Sequence, residues 1–200
     1  MKLKALLLGM ALAGAFGTAS ALTVTPGNDP QIDSNLVRNP CGLATSDTGL
    51  SVQGCLNDNH AVIVDISSDE EINIDGGQAD ITATDDLLST LTISMAGFST
   101  LILDIDASVD GTVTFSDGAG TDGSFALDDN GSNFFTLTGI TGDFVSFTTF
   151  VNGVETDIVS DVKQIRLGQV PAIPEPETYA LMLAGLAAVG FISRRRKAAR

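Results

Sequence analysis

The chain has 200 residues, of which 44% are hydrophobic and 18% charged, and its 25 acidic and 10 basic side chains give a formal charge of −15. This hydrophobic content is too high for a disordered acidic chain. Residues 22–170 carry 23 acidic groups and only three basic ones (Arg38, Lys163 and Arg166), a formal charge of −20. Because such a charge repels phosphate backbones and anionic bilayers, we expect no nucleic-acid partner.

The first 21 residues have the parts of a secretory signal peptide. A positively charged start is followed by apolar residues 5–16, and Ala19-Ser20-Ala21 is a small-residue cleavage site. The alternative is a buried N-terminal helix of a cytosolic protein, but the order of these parts favours a signal. We predict cleavage at the site formed by Ala19 and Ala21, with a mature chain that begins near Leu22 outside the cytoplasm.

Two cysteines follow, Cys41 and Cys55, in a stretch rich in Gly, Asn and Asp. In an exported protein, an even number of cysteines predicts a disulfide, here between Cys41 and Cys55. Two free thiols are the alternative. A metal site would need further ligands nearby, and His60 is the only histidine of the chain.

From residue 61 onward, short β-branched and aromatic runs alternate with turn sequences. Apolar and polar residues alternate with period two in Leu91–Met95, which predicts a half-buried strand, and Asn-Gly and Asp-Gly pairs between the runs predict tight hairpin turns. The predicted strands are Ala61–Ile66, Glu71–Ile74, Ala79–Thr84, Ser89–Met95, Leu101–Ile105, Thr112–Phe115, Ser124–Leu127, Phe134–Thr138, Phe144–Val151 and Val162–Leu167.

This pattern predicts one all-β domain over residues 22–170, an antiparallel β-sandwich of jelly-roll type. About 150 residues is an ordinary length for a single domain. Residues 22–60 contain three prolines and few strand signals. We therefore expect them to form an irregular cap or loop that is pinned by the disulfide.

Asp104, Asp106 and Asp110 occupy positions 1, 3 and 7 of an acidic segment that ends in an Asp-Gly turn. Hard oxygen ligands on loops suit Ca²⁺, so the three aspartates are candidate calcium ligands. The spacing departs from the EF-hand pattern, because Ser108 stands at position 5 and no glutamate closes the loop. The alternative is a set of Asp-Gly turns on a solvated acidic face.

Signals of catalysis are few. His60 flanks a predicted strand, and the chain has no nucleophile elbow, His pair or phosphate-binding loop. Two neighbouring carboxylates can catalyse glycoside hydrolysis, and the chain contains pairs such as Asp85-Asp86 and Glu70-Glu71. An acidic chain, however, contains such pairs by chance. We therefore expect no catalytic residues and a protein that is not an enzyme.

The C-terminal 30 residues have three successive parts. Three prolines between Val170 and Glu177 impose an extended spacer, an uncharged apolar run covers Tyr179–Ile192, and Arg194, Arg195, Arg196 and Lys197 form a basic tip. Fourteen helical residues span about 21 Å, less than a hydrocarbon core, which by itself favours an interfacial or buried helix. The basic tip favours a short membrane anchor with the domain outside and the tip in the cytoplasm.

Pro174-Glu175-Pro176, the apolar run and the basic tip, in this order behind a signal peptide, resemble the PEP-CTERM sorting signal of exported proteins in Gram-negative bacteria. The resemblance covers about 27 residues. It implies that Pro174, Glu175 and Pro176 are recognised by an exosortase, a membrane protease that cleaves nearby, while the helix anchors the chain transiently. The alternative is an ordinary C-terminal anchor.

The resemblance also implies a destination and a role. The protein would be held first at the inner membrane and then reach the envelope, the cell surface or the medium. There it would have a structural or adhesive role, with surface polysaccharide or biofilm matrix as its partner. The alternatives are a Ca²⁺-dependent carbohydrate-binding module and, third, a secreted hydrolase. Sugar rings commonly stack on Trp or Tyr, and residues 22–170 contain neither.

Overall fold

The computed structural model describes residues 21–169, except positions 30, 31, 33, 39, 40, 43, 45, 86 and 130. The apolar part of the predicted signal peptide, Ala19 and the whole predicted tail lie outside the described residues. The prediction that the chain divides at residues 21 and 170 stays a prediction.

The described residues form thirteen strands and no helix. The strands are β1 (Thr23–Pro26), β2 (Leu36–Val37), β3 (Thr48–Leu56), β4 (Ile63–Asp75), β5 (Asp80–Ala83), β6 (Thr90–Ser94), β7 (Phe98–Ala107), β8 (Gly111–Ser116), β9 (Thr121–Leu127), β10 (Asn133–Thr138), β11 (Phe144–Val151), β12 (Val154–Glu155) and β13 (Val159–Gln169).

All pairings between these strands are antiparallel, which confirms the predicted all-β antiparallel class. The main order is β1-β10-β7-β13-β5-β4-β6-β11-β8-β9, with β3 beside β4. Because β4 pairs with β6 near its start and with β5 near its end, it carries the sheet from one layer into the other. At the opposite side β1 contacts β9, so the sheet is nearly closed.

The two layers enclose one apolar core. Phe115 on β8 and Phe135 on β10 are far apart in the strand order, yet their ring centroids are 5.1 Å apart across the core. On β6, Leu91 and Ile93 point inward while the polar residues that alternate with them are half-buried, as period two requires. Each such buried Leu, Ile or Phe contributes about 1.5–3 kcal/mol, so the core is the main source of stability.

The expectation of an irregular cap over residues 22–60 is wrong. This segment contains β1, β2 and the nine-residue β3, which pairs with β4. The predicted strands Ala61–Ile66 and Glu71–Ile74 are parts of the single strand β4, which continues through its polar middle because that part faces solvent.

Three of the Asp-Gly and Asn-Gly pairs, at positions 75–76, 117–118 and 152–153, connect strands that pair with each other, whereas the pair at 110–111 connects β7 and β8, which are not neighbours in the sheet order. Asn152 and Gly153 have φ angles of 52° and 77°, as expected for the tight turn between β11 and β12. The pair at positions 122–123 forms no turn. Instead Gly123, with φ 48°, lies inside β9 where the pairing of β9 with β8 shifts register.

Candidate functional site

The outer face of the central strands β10, β7 and β13 carries an unusual row of charges. Asp104 on β7 lies opposite Phe134 on β10 and opposite Lys163 on β13, while Asp106 lies opposite Asp161. Directly opposed residues of antiparallel strands point to the same face, so these side chains are neighbours. We call Asp104, Asp106, Asp161 and Lys163 the acidic row.

Lys163 holds two of the three carboxylates together. Its Nζ donates a hydrogen bond to Asp106 Oδ2 and lies 3.3 Å from Asp161 Oδ1. The hydrogen bond to Asp106 is the main reason that the pKa of Lys163 is raised, with the charge of Asp161 adding to it. Opposed carboxylates repel each other, so the shared ammonium group stabilises this part of the sheet.

Asp104 is different, because none of the ion pairs among the described residues involves it. It is fully buried, and neither carboxylate oxygen has a hydrogen-bond partner. Burial raises the pKa of Asp104 above its ordinary value of 3.8, and the charge of Asp106 adds to this, although the nearby Ser132 hydroxyl and Lys163 lower it. Burial also raises the pKa of Asp161, again with Asp106 contributing.

Bulges in β13 position Lys163. The pairing of β13 with β7 shifts register between Lys163 and Arg166, where Gln164 has a φ angle of 51°. The extra residue allows both Val162 and Ile165 to point into the core, three positions apart instead of two. A non-glycine residue with positive φ inside a strand costs about 1–3 kcal/mol, which the packing of these two side chains offsets.

Two shallow clefts meet at Ser132 beside the acidic row. One, of about 350 Å³, is lined by polar residues that include Asp106, Asp129 and Ser160. The other, of about 440 Å³, is lined by Asp128, Asn133 and the half-buried ring of Phe134. We call the two clefts together the Ser132 groove. Its carboxylates and hydroxyls can accept hydrogen bonds from a polyol, and Phe134 offers an apolar surface.

The predicted calcium ligands are not brought together as a set. Asp104 and Asp106 belong to the acidic row, whereas Asp110 Oδ1 accepts a hydrogen bond from the backbone N–H of Asp129 at 3.1 Å. Within the described part of the chain, no three His, Cys, Asp or Glu side chains are placed to hold a metal ion. The calcium site therefore stays a prediction, and the row itself depends on Asp161 and Lys163 from a distant strand.

The disulfide prediction is confirmed. Cys41 and Cys55 are bonded, with their Cα atoms 5.6 Å apart, and both are buried. Together with Val37 they form a small apolar cluster separate from the main core. The bridge therefore fixes the segment after β2 against β3.

The remaining candidates are scattered. His60 is an exposed residue in the turn before β4, and Glu70 and Glu71 lie next to each other on β4, so that they point to opposite faces. Ala21 is exposed and lies two residues before β1. Sequence reasoning missed Ser132, Asp161 and Lys163; the alternating acid and base of Asp161-Val162-Lys163 was the available signal.

The sorting residues Pro174, Glu175 and Pro176 and the basic tip Arg194, Arg195, Arg196 and Lys197 lie outside the described residues. In the described part, no helix has the length and apolarity needed to cross a membrane. The anchor predicted over residues 179–192 is not tested by that finding.

The described residues define the class of protein: an acidic, disulfide-bonded, all-β domain. The chain carries, over residues 172–197, the PEP-CTERM protein-sorting motif, which confirms the resemblance of its tail. The motif marks an exported protein that is processed by an exosortase and sorted to the cell surface. No curated protein and no solved structure matches the chain significantly.

Proposed function

We propose that the protein is a structural or adhesive component of the surface polysaccharide or biofilm matrix. The observation that supports this proposal is the sorting motif at residues 172–197, which marks the acidic β-domain for the cell surface. The disulfide and the nearly closed sheet suit a domain that persists outside the cell.

The chemistry of the Ser132 groove supports adhesion better than catalysis. Its lining carboxylates and hydroxyls can accept hydrogen bonds from a ligand, and the groove is open to solvent rather than enclosed. His60, which would be the obvious general base, is at the surface of a turn and lines neither cleft. The expectation that the protein is not an enzyme thus remains part of this proposal.

Carbohydrate binding in the Ser132 groove is the second candidate function. The observation that favours it is Phe134, whose ring lines the groove next to Asp128 and Asn133. A sugar would pack one face on this ring, and its hydroxyl groups would donate hydrogen bonds to the carboxylates. Such binding would be weak and would not require calcium.

Both candidate functions can be tested with extracellular matrix isolated from the producing strain. The purified protein is sedimented with isolated extracellular polysaccharide and screened on a glycan array, each with and without a chelator. The proposal expects co-sedimentation that the chelator does not abolish, and the second candidate further expects its loss in Phe134→Ala. Phe144→Ala, an exposed phenylalanine outside the groove, is the matched control. Absence of matrix binding under all conditions contradicts both.

A further inference from the structure

The two ends of the nearly closed sheet meet where the described chain begins. Leu22 is only 9% exposed and belongs to the core, although it precedes β1. Ala21 and Leu22 line a partly open cavity of about 330 Å³ together with Asp117, Thr121 and Thr141. Since Thr121 begins β9, this cavity lies at the seam between β1 and β9.

Asp117 brings a negative charge to this cavity. It is 3% exposed, and none of the ion pairs within the described residues involves it. Oδ1 accepts hydrogen bonds from the backbone N–H groups of Ala119 and Gly120, and Oδ2 accepts them from the N–H and hydroxyl of Thr141. Burial by itself raises the pKa of Asp117, but these hydrogen bonds together lower it, so the carboxylate is ionised.

We propose that the α-ammonium group of Leu22, created by cleavage after Ala21, binds beside Asp117 in this cavity and holds β1 against β9. The inference rests on the export that the proposed function assumes. Cleavage hydrolyses the peptide bond between Ala21 and Leu22: water supplies the hydroxyl of the new Ala21 carboxyl group, and the released Leu22 amine takes up a proton.

Three features support this site. The side chain of Leu22 is anchored in the core, so the new terminus cannot move far from the cavity. Asp117 is the only ionisable group among the residues that line the cavity in the described structure. Before cleavage this position is a neutral amide, whereas afterwards it is a cation next to a buried carboxylate, an attraction that a partly buried site strengthens.

The site has a measurable signature in the mature protein. An α-amino group ordinarily has a pKa of about 7.7–8.0, and a nearby carboxylate raises it. Because the folded-state pKa is raised, the stabilisation is complete below the ordinary pKa and is lost as the pH rises through the folded value. Acetylation of the α-amine removes the charge at any pH.

The test uses the full mature chain, exported by a Gram-negative host and checked by N-terminal sequencing. The pH dependence of α-amine acetylation gives its pKa, and thermal unfolding is compared before and after acetylation at pH 7. We expect a pKa above 8 and a melting temperature lowered by about 2–4 °C on acetylation. Asp117→Asn should abolish both effects, while Glu155→Gln, which removes an exposed charge on β12, should retain them.

If Asp117→Asn does not fold, the wild-type chain alone decides. An α-amine pKa of 7.7–8.0 with an unchanged melting temperature on acetylation overturns the inference. So does a mature chain that begins at another residue. Neither result concerns the tail, so a failure here is distinguishable from a failure of sorting, which would appear as an unprocessed C-terminus.

Discussion

At the scale of single residues, two of the three aspartates on the outer face of β7 and β13 share one ammonium group. Lys163 pairs with Asp106 and Asp161, and Asp104 is left buried without a hydrogen-bond partner. A buried carboxylate in this position destabilises the fold when it is ionised and much less when it holds a proton. The acidic row is therefore the place where we expect pH to act on stability.

Asp104→Asn should raise the free energy of unfolding at pH 7 by about 1 kcal/mol, because the neutral amide is cheaper to bury than an unpaired carboxylate. Urea unfolding at pH 7 and pH 4.5 measures this, and the gain should shrink at the lower pH. Asp143→Asn, at an exposed site, is the matched control. A loss of stability at pH 7 would mean that the ionised Asp104 is stabilising.

The pH profile of the wild-type protein follows from the directions of the pKa shifts. Asp104 and Asp161 have raised pKa values, so the folded protein binds their protons more tightly and stability falls as pH rises from about 4 through those values. Asp69 and Asp117 have pKa values below the ordinary value of 3.8. Their ionised carboxylates therefore stabilise the fold fully above pH 3.8, and this stabilisation is lost as the pH falls below that value. Thermal unfolding from pH 3 to 8 should therefore show maximum stability on the acid side of neutrality. A stability maximum at pH 8 would contradict this prediction.

Lys163→Met should lower the urea midpoint, because Asp106 and Asp161 would face each other without a cation. Lys163 is 34% exposed, so water screens part of the interaction and the expected loss is about 1 kcal/mol. Arg38→Met, which removes a looser ion pair of 3.6 Å with the exposed Asp47, should cost less. Equal losses in the two variants would show that the acidic row has no special dependence on Lys163.

At the scale of elements, the disulfide connects the segment between β2 and β3, which contains Cys41, to Cys55 on β3. Reduction, or the double substitution of Cys41 and Cys55 by Ser, should lower the free energy of unfolding by about 3 kcal/mol, the value expected for closing a loop of this length. Denaturant unfolding with and without reductant measures it. The double variant should no longer respond to reductant, and an unchanged wild-type midpoint on reduction would contradict the structural role of the bridge.

Strands were predictable where apolar and polar residues alternate, and less so elsewhere. β11 was predicted with its observed bounds, because every residue of Phe144–Val151 except Ser146 is β-branched or aromatic. β3 was missed because Gly49 and Gly54 interrupt its pattern, and Gly54 is required where Leu36 and Val37 approach so closely that a Cβ would lie 2.7 Å from Leu36 Cδ1.

The candidate site depended on information that the sequence does not show locally. Asp104 and Asp106 were identified from their own segment, but the ion-pair partner of Asp106, Lys163, lies 57 residues further along the chain. Which residues face each other is decided by the register of β13 on β7, including its bulges. A local pattern cannot predict that register.

At the scale of the whole molecule, the formal charge of −20 on residues 22–170 should repel itself. Raising NaCl from 10 to 500 mM shortens the Debye length from about 30 Å to a few Å. We therefore expect the melting temperature to rise. Because no three acidic side chains of the described residues form a metal site, CaCl₂ at equal ionic strength should add little beyond this. A saturable calcium effect at micromolar concentration would support the calcium-site hypothesis.

The charge of −20 on residues 22–170 also distinguishes the acidic domain from the tail in how each interacts with a membrane. The acidic domain repels anionic membranes, while the tail with the sorting motif delivers the chain to a membrane protease. Removal of the basic ends leaves a more acidic molecule than the precursor. We therefore expect the released domain to act away from the membrane through which it passed.

Intact-mass analysis in hosts with and without the exosortase tests the central claim most directly. With the exosortase, we expect a protein that begins at Leu22 and has lost the residues C-terminal to a bond near Pro174-Glu175-Pro176. Without it, we expect the same N-terminus, an intact tail and retention in the membrane fraction. An uncleaved tail in both hosts, or cleavage in both, would contradict sorting by the exosortase.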